Sequence, residues 1–401
     1  MFKSLSLKVI IFGFIFTFFS SFGQSFFLGL FNSSIRDTLS ITQGQFGTIY
    51  AFATLLSGFL LIWVGKKIDD INIFKFAFFA TILLSFSCFF FSKISSITFL
   101  FIAIFLMRFS GQGMMSHTAT TTISRYFTKS RGKALSIIWF GLSTAEFVLP
   151  ILIVYLLTII SWQNLWIYIS ILVLIFLPIT SFTLVKKLNF DSREETNQQE
   201  FNEKIKQWKR IEVLKDYRFY IVCLNMLAMP WIVTGVFVYQ SFISESKGWG
   251  TYVIAQSFMV YSILSVLTLL IAGFLIDKFT SRKLLIFMNI PLLISTVVLM
   301  YFDISYSAFI FLGLIGISNG LANVLGSSTW AEIYGVRYIG SIKALTTALM
   351  VFSTAFGTAL FGILIDIGFS IEQIALISFI YIALSATLLL FVKNKLNPKY
   401  L

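Results

Sequence analysis

The sequence predicts an all-α polytopic membrane protein, with twelve spanning helices in two pseudo-symmetric bundles of six. Three observations lead there: an apolar composition, twelve long uncharged runs, and basic residues that recur on alternate loops. Of the 401 residues, 58% are hydrophobic and only 12% charged. A soluble domain carries about twice that share of charge, so the surplus apolar side chains must face a bilayer. The net charge of +13 would point to nucleic acid in a soluble chain. Here the basic residues gather in loops on one side of the spans, and no nucleic-acid partner is expected. Cys88 and Cys223 each lie inside an apolar run, which argues against a disulfide framework. The single histidine, His117, leaves no material for a His-based metal cluster, so neither metal nor cofactor is expected.

A spanning helix needs about 20 apolar residues. Twelve such runs lie near 9–31, 46–64, 73–92, 97–122, 134–158, 164–185, 219–243, 252–276, 284–302, 305–329, 342–365 and 371–392. Lys3 and Lys8 precede the first, as in a signal peptide. That run is longer than a typical signal core and no small-x-small cleavage site follows Phe31, so it reads as a retained span. With the amino terminus in the cytoplasm, 26 of the 30 Lys and Arg fall on the cytoplasmic side, as the positive-inside rule requires. The exceptions are Arg36, Lys93 and Lys247 on the opposite loops, and Arg108 within a span. A wrong span count would scramble this alternation. Both termini are therefore expected inside, in an inner (plasma) membrane.

The one long polar stretch divides the chain. Residues 1–187 form a first six-helix half, 188–217 a cytoplasmic linker and 218–401 a second half. Phe201, Ile205, Trp208 and Ile211 recur in the linker at helical spacing. This fits a helix in the membrane interface or a solvated helix with chance apolar residues. The halves repeat one another. Gly65-Lys-Lys-Ile-Asp69 follows the second run and Gly273-Phe-Leu-Ile-Asp277 the eighth, the glycines 208 residues apart. Gly113 precedes Tyr126-Phe-Thr-Lys-Ser-Arg131-Gly-Lys-Ala-Leu. Gly320, 207 residues on, precedes Tyr334-Gly-Val-Arg337-Tyr-Ile-Gly-Ser-Ile-Lys-Ala-Leu. Two motif pairs at nearly one offset imply duplication, and repeats of one topology mark a class of membrane transporters.

The Gly-x-x-x-Asp element with trailing basic residues, after the second and eighth spans, resembles the loop motif of the major facilitator superfamily. The likeness extends over the whole chain and implies the major facilitator fold. Arg108-Phe-Ser-Gly-Gln-Gly113 and Arg131-Gly-Lys-Ala-Leu135 resemble the branch of monocarboxylate transporters and oxalate–formate antiporters. The resemblance implies a gating set of Gly65, Asp69, Gly273, Asp277, Arg282, Arg131 and Arg337. Asp69 would approach the start of the eleventh span near Ser341, and Asp277 the start of the fifth near Gly132. Gly65 and Gly273 would permit close helix approach. The first copy departs from the pattern, since Asp70 doubles the acid and the next basic residue waits until Lys75. The branch also carries basic residues in its eighth and eleventh spans. Here run 252–276 has none, and the eleventh has only Lys343 at its start.

An ionisable side chain near the bilayer midplane is expensive and needs a reason. Two qualify: Arg108 about halfway along the fourth span and Glu146 about halfway along the fifth. These spans are consecutive and antiparallel, so the pair is expected to meet. Either Arg108 binds an anionic solute while Glu146 balances it or carries a proton, or the pair pins two helices. Gln112, one turn from Arg108, shares its face. His117 lies on nearly the opposite face, where packing or gating suits it. Gln24, Asn225, Trp231, Asn319 and Asn323 lie on helices that line the cavity in the family. The last two share a face by i, i+4 spacing. Interhelical hydrogen bonding would account for the Asn and Gln residues equally.

The expected activity is secondary transport by alternating access of a small organic anion, monocarboxylate-like and proton-coupled, by a monomer in the bilayer. Proton-driven efflux of an amphipathic compound is the alternative, with Glu146 as carrier. A membrane sensor without transport is a third reading, although no large extra soluble domain is present. No Gly-x-x-x-x-Gly-Lys-Ser/Thr phosphate loop occurs, and no catalytic cluster occupies the spans, so an enzyme is not expected.

Overall fold

A computed structural model of the chain describes residues 4–127, 131–186 and 206–398. Among these, regular structure is entirely helical. Twelve helices are long and apolar enough to cross a membrane. They are Ser6–Gly23, Gln43–Asp70, Ile73–Phe91, Ile97–Tyr126, Gly132–Leu157, Trp162–Leu184, Tyr217–Val238, Thr251–Phe279, Ser281–Tyr301, Tyr306–Tyr334, Ile339–Asp366 and Ile371–Lys395. They are numbered below as spans 1 to 12.

Short polar side chains set the starts. Thr42 with Gln45 and Ser370 with Gln373 form capping boxes at spans 2 and 12. Asn72, Ser96 and Ser161 cap spans 3, 4 and 6 by accepting backbone N–H groups. Such caps satisfy donors that a helix start leaves bare. The faces turned away from each bundle are apolar: Phe274 is 79% exposed and Phe391 78%, as a lipid-facing surface requires.

Contacts divide the chain into two compact units. One is Met1–Glu194 with Phe237–Phe242; the other is Glu195–Val236 with Ile243–Leu401. In the first, Trp166 is fully buried among the rings of Phe22, Phe27, Phe31 and Phe91. Spans 3 and 6 are joined by reciprocal bonds: the Ser85 hydroxyl donates to the Ser170 carbonyl at 3.0 Å, and Ser170 to that of Ser85 at 2.9 Å. Gly141 of span 5 lies against the Phe14 carbonyl, where a Cβ would collide. The short segment Phe237–Phe242 joins this unit through Asn32, which donates to the Val238 carbonyl at 2.9 Å, and Gln240, which donates to that of Phe26 at 2.8 Å.

The second unit repeats the first in detail. Gly357 of span 11 lies against the Trp231 carbonyl of span 7, the counterpart of Gly141 against Phe14. Gly113 of span 4 abuts Leu61 of span 2, and Gly320 of span 10 abuts Leu269 of span 8. These partners are 207 and 208 residues apart. The offsets read from the motifs thus recur between packed helices. Gly313, Gly316 and Gly320 bring span 10 against span 8, with Gly316 facing the Tyr261 carbonyl. Gly273 differs from the expectation of close approach: a Cβ there would meet nothing within 4 Å. Its small size is therefore not used in packing.

The linker also differs from its expectation. Phe201 and Ile205 lie outside the described residues. Trp208 is 6% exposed and belongs to the second unit's core, with Val222, Trp330, Tyr334 and Leu396 around it. Its backbone N–H donates to the Tyr334 carbonyl at 3.0 Å and its ring meets Tyr334 edge-on at 5.4 Å. Gln207 accepts from the Arg337 N–H at 3.1 Å. Among the described linker residues, Arg210–Leu214 is helical, and Ile211 is 62% exposed. With its ring packed on Tyr334 in that core, Trp208 anchors the linker inward. Lys206, 2.9 Å from Glu212, and the Lys209 N–H hold the Glu212 carboxyl below its ordinary range.

The basic residues that break the loop alternation are each accommodated. Arg36 Nε donates to Asn32 Oδ1 at 2.8 Å, and Lys93 lies over the Phe89 ring. Lys247 is 4% exposed and pairs with Asp303 and, at 3.1 Å, with Glu372.

Candidate functional site

Two irregular helices build the site in the first unit. The apolar run 9–31 reads as one span, with no break marked in it. Instead its α-helix ends at Ser20, a 3₁₀ turn covers Ser21–Gly23, and Gln24 is extended at φ −83°, ψ 152° before helix resumes at Ser25. Span 4 widens to a π-helix over Arg108–Met115. Such widened turns occur often at functional sites. The two irregularities touch through their glycines. A Cβ on Gly23 would overlap the Met107 carbonyl and the Gln112 amide, and one on Gly111 would lie 2.7 Å from the Gly23 nitrogen.

The break frees the Gly23 carbonyl from the helix ladder, because the Phe27 and Leu28 amides turn to Gln24. Arg108 takes it up. Its Nη1 donates to the Gly23 carbonyl and to Ser25 Oγ, both at 3.2 Å. Tyr50 donates its hydroxyl to Ser25 Oγ at 3.0 Å, and its ring lies 5.4 Å from the guanidinium. Arg108 is 3% exposed, and its Nε–H has no hydrogen-bond partner.

The expected pairing with Glu146 does not form, since Arg108 and Glu146 make no ion pair within 4.0 Å. A carbonyl released by the helix break offers the guanidinium an acceptor already in place. Glu146 is 8% exposed on span 5. Four residues on, Pro150 lacks the N–H that would bond the Glu146 carbonyl. Residue 146 thus carries both a buried carboxyl and a carbonyl free of the helix ladder. Gln24 and Gln112 are half-buried at the break and on the π-helix respectively.

The second unit presents its own candidates. Asn225 is fully buried and neither atom of its carboxamide is hydrogen-bonded, while its backbone carbonyl accepts from Asn289 at 2.6 Å. Trp231 packs against Tyr381, Phe356 and Phe361. Asn319 donates to Ser265 Oγ at 2.9 Å, an interhelical bond to span 8, whereas Asn323 is exposed.

The loop motifs are tied to the helix two spans on. His117 Nε2 donates to the Gly65 carbonyl at 3.0 Å, and Asp69 pairs with Arg125, both partners lying on span 4. In the second unit Asp277 makes no ion pair among the described residues. There Glu332 of span 10 accepts the Ser281 and Arg282 backbone N–H groups at 2.8 and 3.2 Å, with Arg282 Nε 3.9 Å away. Arg282 also donates to Asn397 at 2.8 Å. Arg125 and Glu332 are 207 residues apart. The same repeat position therefore holds the same loop with opposite charge. The motif glycines do not mark this pair, though the offset of 207 points to it. Ser25 and Tyr50 carry no such signal. Arg337 lies over the Tyr338 ring; the Arg131 side chain lies outside the described residues.

The fold resembles solved transporters. One is a bacterial homolog to the human lysosomal transporter Spinster, in an inward-facing and unoccupied conformation. It is 13% identical, with 100% of each chain covered and a TM-score of 0.73. Another is the nucleoside transporter NupG, 14% identical, with 98% of this chain and 99% of that one covered and a TM-score of 0.71. At such identities the likeness concerns the fold alone. No curated protein sequence matches the chain. Residues 13–358 match the family model of the Major Facilitator Superfamily, and with most of its length so matched the chain belongs to that superfamily.

Proposed function

We propose that this transporter of the alternating-access kind carries a small organic monoanion of the monocarboxylate class, coupled to protons. One observation carries the reading. Arg108 is buried midway along span 4, its hydrogen-bond partners are all neutral, and its Nε–H is unpartnered. A buried cation without a counter-ion is costly, and a carboxylate would supply both the missing charge and a strong charge-assisted bond. No other Lys or Arg lies midway along a span, which favours one negative charge over two. Glu146, buried without a cationic partner, is suited to hold the coupled proton. One proton and one anion together cross without net charge. The other site candidates, Gln24, Gln112, Asn225, Trp231, Asn319 and Asn323, would orient the uncharged part of the solute. The two loop motifs would serve as gates.

Uptake of labelled organic acids into proteoliposomes, with and without an inward proton gradient, tests this. Accumulation of a monocarboxylate driven by the gradient is expected. A protein that moves no acid but moves drug-like cations would overturn the anion reading. It would leave the second one, efflux of an amphipathic compound, which the unpaired Glu146 also favours.

A further inference from the structure

Spans 1 and 6 enclose an open groove of about 640 Å³ on the outside of the first unit, lined by Ile15 of span 1 and by Ile171, Ile175, Phe176, Ile179 and Thr180 of span 6, among others. Its lining runs from Tyr168 to Leu184, about 24 Å at 1.5 Å per residue. Ile171, Ile175 and Ile179 are 49 to 58% exposed. In a spanning helix such a surface meets lipid.

The groove differs from ordinary lipid-facing surface at one end. The spans are antiparallel, and the stacked rings of Phe19 and Phe176, 5.5 Å apart, set their register. Counting back eleven residues along span 1 from Phe19 reaches Lys8. Counting forward ten along span 6 from Phe176 reaches Lys186. At 1.5 Å per residue the two lysines differ in depth by about one residue. Both are exposed. Lys8, Ile11 and Ile15 form one stripe at i, i+3, i+7, and Ile175, Ile179, Phe182 and Lys186 form another. Lys186 Nζ lies over the Phe182 ring at 4.0 Å, so the ammonium stays on the second stripe. The two stripes that border the groove each end in a cation at one depth, on the side where the loops are richest in Lys and Arg.

We propose that this groove binds an anionic phospholipid of the leaflet on that side, one acyl chain lying along spans 1 and 6 and the phosphate between Lys8 and Lys186. The apolar floor accepts the chain, and paired lysines at headgroup depth select the charge. The site is independent of the solute carried.

The test is native mass spectrometry of the full-length protein in neutral detergent, titrated with phosphatidylglycerol or phosphatidylcholine of identical acyl chains. Wild type should hold phosphatidylglycerol more tightly. Lys8→Gln with Lys186→Gln should weaken it roughly 30-fold, the equivalent of about 1 kcal/mol per lysine, and leave phosphatidylcholine unchanged. Lys8→Arg with Lys186→Arg should retain wild-type binding, which separates charge from fold. Ile175→Trp, filling the groove, should weaken both lipids. Phosphatidylglycerol binding that survives the double glutamine change overturns the proposal. So does equal weakening by Lys66→Gln with Lys67→Gln, or lipid binding indifferent to Ile175→Trp.

Discussion

Replacing Arg108 by glutamine separates a solute-binding cation from a structural pin. In the folded protein the guanidinium makes two hydrogen bonds, to the Gly23 carbonyl and to Ser25 Oγ. Each bond from a charged donor contributes about 1.5–3 kcal/mol. Against these stands the desolvation of an unbalanced buried ion, several kcal/mol after relaxation. The two nearly cancel. Arg108→Gln should therefore shift the melting temperature of the solute-free protein by no more than a few degrees. Transport should respond differently. A carboxylate that loses its bond to the guanidinium loses about 1.5–3 kcal/mol, so its half-saturating concentration should rise roughly 10- to 150-fold. Had Arg108 been half of a buried ion pair, its removal would cost about 3–5 kcal/mol and the melting temperature would fall sharply. The assays are thermal melting in detergent and concentration-dependent uptake in proteoliposomes. A sharp fall in melting temperature, with uptake of the acid at wild-type affinity, would refute the reasoning.

Glu146→Gln should abolish stimulation of uptake by a proton gradient while counterflow of the labelled acid persists; undiminished stimulation would remove Glu146 from coupling. Asp69→Asn should lower transport with the amount of inserted protein unchanged. Because the Asp69–Arg125 pair is largely exposed at 70% and 30%, a double-mutant cycle with Arg125→Gln should give a coupling of no more than about 1 kcal/mol in stability. Trp208→Ala opens the second unit's core and should destabilise by about 3–5 kcal/mol, read as a lowered melting temperature; an unchanged one would mean that Trp208 is not an anchor. Gly357→Val places a side chain against the Trp231 carbonyl, an overpacking expected to cost at least about 1–3 kcal/mol and visible as loss of folded protein, whereas Gly273→Ala, with open space at its Cβ, should be tolerated.

The repeat was legible from the chain because it is written in glycines. Gly113 and Gly320 mark places where helices touch, and their neighbours Leu61 and Leu269 keep the same spacing. Glycine at a contact leaves a trace in sequence because no other residue fits. Gly273 shows the limit of that logic, since it occupies a motif position without a close neighbour. Trp208 was legible as an apolar residue at helical spacing, but periodicity cannot say which apolar medium receives it. The core of the second unit does so, through Tyr334 and Trp330. Arg125 and Glu332 read as ordinary charges at helix ends until the structure shows each bound to its own loop.

Composition, run length and loop charge alone determine that this chain crosses a membrane twelve times. Those properties are set by transfer of whole segments between water and lipid, which sums over residues and needs no partner. The setting of Arg108 is different in kind. A continuous first span and an Arg108–Glu146 pair satisfy the same sequence. Which groups a buried guanidinium meets depends on where span 1 breaks and span 4 widens, and there Gly23 and Gly111 lie in backbone contact. Short-range directional bonds are decided only when distant segments meet, so the tertiary structure alone assigned Arg108 to Gly23, Ser25 and Tyr50.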